Sequence, residues 1–254
     1  MKKCIYLLAI LVAFLWISPA MAAEETGEYD RLIQQADELY KKGGLENYEQ
    51  AAVLYKEVIS GDPEHFEAHW KLARALREYA QWHMMEGTEQ YEEISVEYGK
   101  EGMHYAQKAI DINPDHPGGY LYYGINVGKY SDGVGIITAL REGLKDKTQS
   151  SFEKAYELDP HFEKGSPIIS LGRFWQVVPW PFRDTEKAEA LYREFQETAY
   201  YENNVESRIY LAEILKGKWG SSNNAEARKL LEEALELDVH EYWHNKAKEM
   251  LKDL

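Results

Sequence analysis

Apolar and small residues recur along most of this chain at the three- and four-residue spacing of helices that bury one stripe. Three segments share one arrangement: small and bulky apolar residues on one helix face, a turn, then Asp-Pro or Asn-Pro. The first reads Ala51, Tyr55, Val58 and Asp62-Pro63, and the second Gly102, Ala106, Ala109 and Asn113-Pro114. The third reads Phe152, Ala155 and Asp159-Pro160. Ala227, Leu231, Ala234 and Asp238 form a fourth without the proline, and Ala188, Tyr192 and Phe195 a further one lacking both final features. Proline ends each helix because it removes a backbone donor and biases the preceding residue away from the α region.

Partner helices precede these segments. They carry Leu72-Ala73, Tyr123-Gly124, Leu171-Gly172 and Leu211-Ala212, each followed three residues on by a bulky side chain: Leu76, Val127, Trp175 or Leu215. Small residues at such positions let a second helix approach, while the larger ones fill the groove between them. The pattern predicts an all-α, right-handed solenoid of antiparallel helix pairs over residues 23–254, ending in an amphipathic capping helix from His240 to Leu254.

The pattern resembles the tetratricopeptide repeat (TPR) over nearly all of residues 29–238, most closely in the Leu171-Gly172 to Ala188-Tyr192 unit and the Ala51-Tyr55-Pro63 unit. Pro63, Pro114 and Pro160 are 51 and 46 residues apart, more than the roughly 34 of the plain repeat. The excess falls at residues 78–97, at residues 133–147 and at residues 176–185, the last containing Val177-Val178-Pro179-Trp180-Pro181-Phe182-Arg183.

A narrower resemblance rests on Gly119-Tyr120-Leu121-Tyr122-Tyr123-Gly124, the Gly133–Leu140 insertion, Leu171-Gly172-Arg173 and Pro179-Trp180-Pro181-Phe182, with Glu186-Lys187-Ala188 and Tyr210-Leu211-Ala212-Glu213 beyond. This set is similar to the periplasmic T component associated with TRAP-type transporters. A second, slighter resemblance is to the eukaryotic regulator of microtubule dynamics family, through the Leu171-Gly172-Arg173 element. The first implies a periplasmic partner, in its sharpest form a TRAP-type substrate-binding protein. Members of that family usually carry a lipid-anchoring cysteine after the leader, and this chain does not.

The start of the chain changes the expected compartment. Lys2 and Lys3 precede an apolar run of 13 residues at 5–17, then Ser18-Pro19-Ala20-Met21-Ala22 with small residues in an Ala-x-Ala arrangement. That is the pattern of a secretory leader cleaved after Ala22, and the run is short for a membrane span. Cys4 is the only cysteine, so a mature secreted chain has no disulfide or thiolate chemistry. No later stretch is long and apolar enough to read as an integral membrane segment.

The net charge is −15, becoming −17 once the leader's two lysines are removed. Without a basic stripe such a surface repels nucleic acid. Aromatics make up 13% of residues, too many for a disordered chain.

His65/His69 and His240/His244 are i, i+4 pairs that could share a helix face, and His240-Glu241-Tyr242-Trp243-His244 matches the metalloprotease spacing. No third ligand follows the latter, so the bland reading of a solvated capping helix is preferred, with no metal and no cofactor. Gly133-Val134-Gly135 and its neighbours lack the Lys-Ser/Thr ending of a phosphate loop. No nucleophile, base and oxyanion site can be assembled, and binding is expected rather than catalysis.

The candidate binding residues are Tyr120, Arg173, Trp180 and Arg183, with Tyr123 and Trp175 read as core from their helical spacing. Prolines on both sides of Trp180 stiffen its loop. The leading expectation is a periplasmic or secreted interaction scaffold that binds another protein or a peptide. The alternative is a carrier that holds a small hydrophobic ligand in a cavity or pore lined by the aromatics and the apolar insertion at Ile136-Ile137.

Overall fold

The structure, a computed structural model, describes the backbone from residue 19 and side chains from residue 27. Residues 1–18 of the expected leader lie outside the described residues, and its last four, Pro19 to Ala22, fall in the first helix. Among the described residues there are twelve α-helices, one 3-10 turn at Tyr201–Asn203 and no strand.

Five antiparallel pairs follow one another. They are α1 (Pro19–Lys42) with α2 (Leu45–Gly61), α3 (Phe66–Met85) with α4 (Tyr91–Ile112), and α5 (Pro117–Val134) with α7 (Leu144–Leu158). Then come α8 (Phe162–Val177) with α9 (Thr185–Gln196), and α10 (Val205–Lys216) with α11 (Ser221–Leu235). The short α6 (Ile136–Arg141) interrupts the third pair, and α12 (Glu241–Lys252) caps the array. Each helix packs on the next, and α3, α5, α8, α10 and α12 also pack on one another in that order. Those five form an inner layer, which is the arrangement of a repeat solenoid.

The insertions read from the sequence take definite forms. Residues 78–97 lengthen α3 and α4 rather than adding an element, residues 133–147 form α6 and the start of α7, and residues 178–184 form an irregular loop before α9.

Asp62, Asn113 and Asp159 end their helices at φ of −127°, −136° and −159°. Each side chain accepts from the backbone N–H two residues on, at 3.1, 3.2 and 2.9 Å. This Asx turn with the following proline redirects the chain between pairs. In two cases a histidine follows the proline by two positions and caps the next helix. His65 Nδ1 accepts from Ala68 N at 3.3 Å, and His116 Nδ1 from Gly118 N at 3.0 Å. Sequence inspection missed this role.

Within pairs, glycine sets the approach. A Cβ on Gly124 would meet the Phe152 ring at 2.5 Å, and one on Gly172 would meet Tyr192 at 2.8 Å. Phe152 and Tyr192 are buried in the main core, each fully buried side chain contributing on the order of 1.5–3 kcal/mol.

The entry to α8 is unusual. Glu163, Lys164 and Gly165 adopt the left-handed region, with φ of 45°, 60° and 80°. Side-chain-bearing residues pay about 1–2 kcal/mol each for that conformation. Arg74 Nη1 donates to Glu163 Oε1 at 3.0 Å across the inner layer, which offsets part of the cost.

Candidate functional site

The inner helices, with α6 and the start of α7, enclose a cavity of about 390 Å³. One wall is apolar and lies under the α6–α7 insertion: Ile136, Leu140, Phe152, Ile169, Phe174 and Val178. The lining also carries polar and charged groups, from Arg77 and Gln81 on α3, Lys129 and Asp132 on α5, Lys145 on α7, Arg173 on α8, Glu206 and Tyr210 on α10, and Lys246 on α12. Clefts of this size with a few placed polar groups are the usual form of a binding site.

The charged groups are held by neighbours. Lys129 is only 7% exposed. It donates to Gln81 Oε1 at 2.6 Å and lies 2.5 Å from Asp132 Oδ2. Burial pulls its ammonium below the ordinary lysine value, with Asp132 opposing.

Arg173 Nη1 donates to Glu213 Oε2 at 2.7 Å, and its guanidinium lies 4.2 Å from the centre of the Tyr210 ring. Lys246 Nζ takes the other Glu213 oxygen at 2.7 Å. Burial alone would raise the Glu213 pKa, but Arg173 and Lys246 outweigh it and hold the carboxyl below its ordinary value. Gln176 ties this group to the core, since its amide donates to Glu213 at 3.0 Å and its oxygen accepts from the Tyr192 hydroxyl at 2.8 Å.

Arg77 Nη1 donates to Glu78 at 2.6 Å. Its Nη2 lies 3.8 Å from Glu206, too far for a hydrogen bond. Its Nε is buried and has no hydrogen-bond partner among the described residues.

The four residues singled out from the sequence do not gather at one point. Arg173 lines the cavity. Trp180, in the loop after α8, is 86% exposed, and Pro179 beside it lines the cavity. Arg183 is exposed in the same loop, where its Nε reaches Val178 O at 3.4 Å. Tyr120 is half-buried against the main core and is not part of the cavity wall. Tyr123 and Trp175 are buried core residues, as their spacing indicates.

Arg77, Gln81, Lys129, Tyr210 and Lys246 were not found by sequence inspection. Lys129 left a trace, as the single basic residue of α5. The insertion residues Ile136 and Ile137 and the loop residue Phe182 remain partly exposed, and Lys145 Nζ sits 4.5 Å from the centre of the Phe182 ring. The two inserted segments therefore meet beside the cavity.

The histidine pairs serve structure. His69 Nε2 is 2.8 Å from Pro63 O and His244 Nε2 is 2.9 Å from Leu237 O. His240 Nδ1 accepts from Tyr242 N at 3.2 Å, capping α12.

Comparison with known proteins sets this architecture in a family. A model described as regulator of microtubule dynamics protein 1–3 matches residues 32–207. Regulator of microtubule dynamics protein 1 of Bos taurus is 32% identical over 163 residues, covering 63% of this chain and 47% of that protein. The chain thus spans about half the length of this curated relative. A thermophilic TPR protein of Thermus thermophilus matches with a TM-score of 0.61 at 16% identity, covering 88% of this chain and 99% of that one. This likeness shows a TPR-like fold. The sequence resemblance ranked second is therefore the one the family model bears out, while that to the transporter T component finds no match among these relatives. With a matching model over most of the solenoid, the chain belongs to the regulator of microtubule dynamics protein 1–3 family.

Proposed function

We propose that this protein is a binding scaffold whose inner groove holds a segment of a partner protein. The observation that carries the reading is the cavity itself. It is walled by successive inner helices of a TPR-like solenoid, with apolar and charged side chains in its lining. Repeat solenoids present such inner surfaces to extended ligands. The reading takes binding, rather than catalysis, as the work of this groove.

Two finer readings belong to the same proposal. Secretion to the periplasm rests on the leader pattern of residues 1–22. Partnership with a TRAP-type substrate-binding protein rests on the strings from Gly119 to Glu213. The name of the Bos taurus relative adds microtubules as a partner to be tried by co-sedimentation. The apolar wall also favours a second reading, a carrier of a small hydrophobic ligand.

Native mass spectrometry of protein purified from its own cells separates the two. The scaffold reading expects a stoichiometric protein partner. A copurified small apolar molecule with no protein would overturn it in favour of the carrier.

A further inference from the structure

The two inserted segments leave large apolar side chains in solvent. At the start of α6, Ile136 and Ile137 are 38% and 49% exposed, and before α9 Trp180 and Phe182 are 86% and 41% exposed. Lys145, 4.5 Å from the centre of the Phe182 ring, joins the two segments, which brings the four side chains to one patch. Ala139 is the buried residue of α6, so that short helix turns its first residues outward. Prolines on both sides of Trp180 restrict its loop, and the ring is held in solvent at small entropic cost.

Size and charge limit what can cover this patch. At ordinary side-chain areas the four residues present roughly 450 Å². That is little more than half of the ~800 Å² that each partner in a stable protein complex buries. A second copy would also bring −15 against −15.

The patch itself carries little net charge. Lys145 is paired with Asp146 at 2.9 Å, Glu142 accepts from the Tyr130 hydroxyl at 3.0 Å, and Asp184 caps α9 by accepting from Lys187 N at 3.0 Å. Arg141, one turn beyond Ile137, and Arg183, next to Phe182, stand at the edge with no ion pair among the described residues. Tryptophan, phenylalanine and isoleucine edged by arginine suit the boundary between lipid head groups and acyl chains. There the rings and aliphatic groups leave water while the guanidinium groups meet phosphates. Among the described residues no helix is long and apolar enough to cross a membrane, so the contact is confined to the surface.

We infer that this patch docks the protein on the surface of a zwitterionic phospholipid bilayer. Trp180, Phe182 and Ile137 enter the head-group region, and Arg141 and Arg183 reach lipid phosphates. A zwitterionic surface is specified because the chain's charge of −15 opposes approach to an anionic one. The docking goes beyond the scaffold reading and does not depend on what the groove holds.

Flotation of the whole protein with vesicles of phosphatidylcholine and phosphatidylethanolamine in equal parts tests this. Wild type should rise with the vesicles, and Trp180→Ala should lower its partition about tenfold. Vesicles with brominated acyl chains should quench part of the tryptophan fluorescence of wild type, and Trp180→Ala should lose that part. Trp219→Ala, fully exposed elsewhere, should float and be quenched as wild type. Circular dichroism melting checks that each variant is folded.

Loss of the quenching alone is enough to place Trp180 in the bilayer, even where flotation persists. Wild type that stays with the vesicle-free fraction would overturn the inference, as would Trp180→Ala that floats and is quenched like wild type. A wild-type dimer in sedimentation velocity that Trp180→Ala turns into a monomer would also overturn it, by giving the patch to a second copy. None of these outcomes bears on the groove, which Gly128→Leu tests separately.

Discussion

His240 Nε2, at the start of the last helix, lies 3.0 Å from Glu86 Oε1 at the end of α3, joining residues 154 apart in sequence. The His240 ring also meets the edge of Trp82 at 5.1 Å between centres. With Arg77 facing Glu206 at 3.8 Å, these contacts bring the second helix pair against the last pair and its cap. The inner layer therefore wraps round its groove instead of standing open.

Contacts at the ends of a solenoid are the weakest part of such a wrap. Glu86 is half exposed, and a polar contact at the surface is worth about 0–1 kcal/mol. Glu86→Gln should therefore leave the global unfolding midpoint nearly unchanged. It should, however, increase hydrogen exchange at the amides of residues 241–246 relative to those of α10. Unchanged exchange would mean that α12 is held by its own pair alone.

Glycines on the inner helices should respond to alanine with opposite signs. At Gly172 a Cβ would press on the buried Tyr192 ring at 2.8 Å, and overpacking of that kind costs about 1–3 kcal/mol. At Gly128, mid-helix in α5, a Cβ meets nothing within 4 Å. There alanine should add about 0.5–1 kcal/mol by removing the glycine penalty. Urea unfolding of the two variants reads both signs, and a destabilised Gly128→Ala would contradict the packing described here.

Acid sensitivity should pass through Glu213. Its carboxyl is held below the ordinary value of 4.5, with burial opposed by Arg173 and Lys246. A carboxylate depressed in the folded state contributes stability that is complete above its unfolded value and is lost as pH falls through the folded one. Stability should thus fall as pH drops below 4.5, and Glu213→Gln should flatten that part of the curve. Asp37, depressed through Lys71, Tyr55 and Arg74 against its burial, adds a second loss beginning below 3.8. Urea midpoints against pH for wild type and Glu213→Gln provide the measurement. Parallel curves would remove Glu213 from the account.

The fold was legible because its rules are local. Ala51, Tyr55 and Val58 before Asp62-Pro63 give a helix face, a stop and a turn within a dozen residues, and the Asx turns at Asp62, Asn113 and Asp159 are the structural counterpart. The small residues Gly124 and Gly172 were read as close approaches, and Phe152 and Tyr192 fill them. The groove was mostly illegible because it is not local. Arg77, Lys129 and Lys246 sit on separate helices and become one wall only when the pairs stack. Trp180 and Arg183 drew attention by composition, yet of their loop it is Val178 and Pro179 that reach that wall. Arg173 was found because it stands beside the aromatic pair Phe174-Trp175, so a local signal happened to lie beside a distant one.

The scaffold reading depends on the partner lying in the inner groove. Gly128 lines that groove and has open space where a side chain would begin, so Gly128→Leu directs apolar bulk into the cavity. Lysine crosslinking with mass spectrometry should be run on wild type and Gly128→Leu, produced at equal levels in the protein's own cells. Wild type should be joined to a protein partner through the groove lysines Lys145 and Lys246. Gly128→Leu, melting no lower than wild type, should lose those links. Partner links that persist in Gly128→Leu, or that form only through outer-face lysines such as Lys154 and Lys229, would contradict a partner held in the groove.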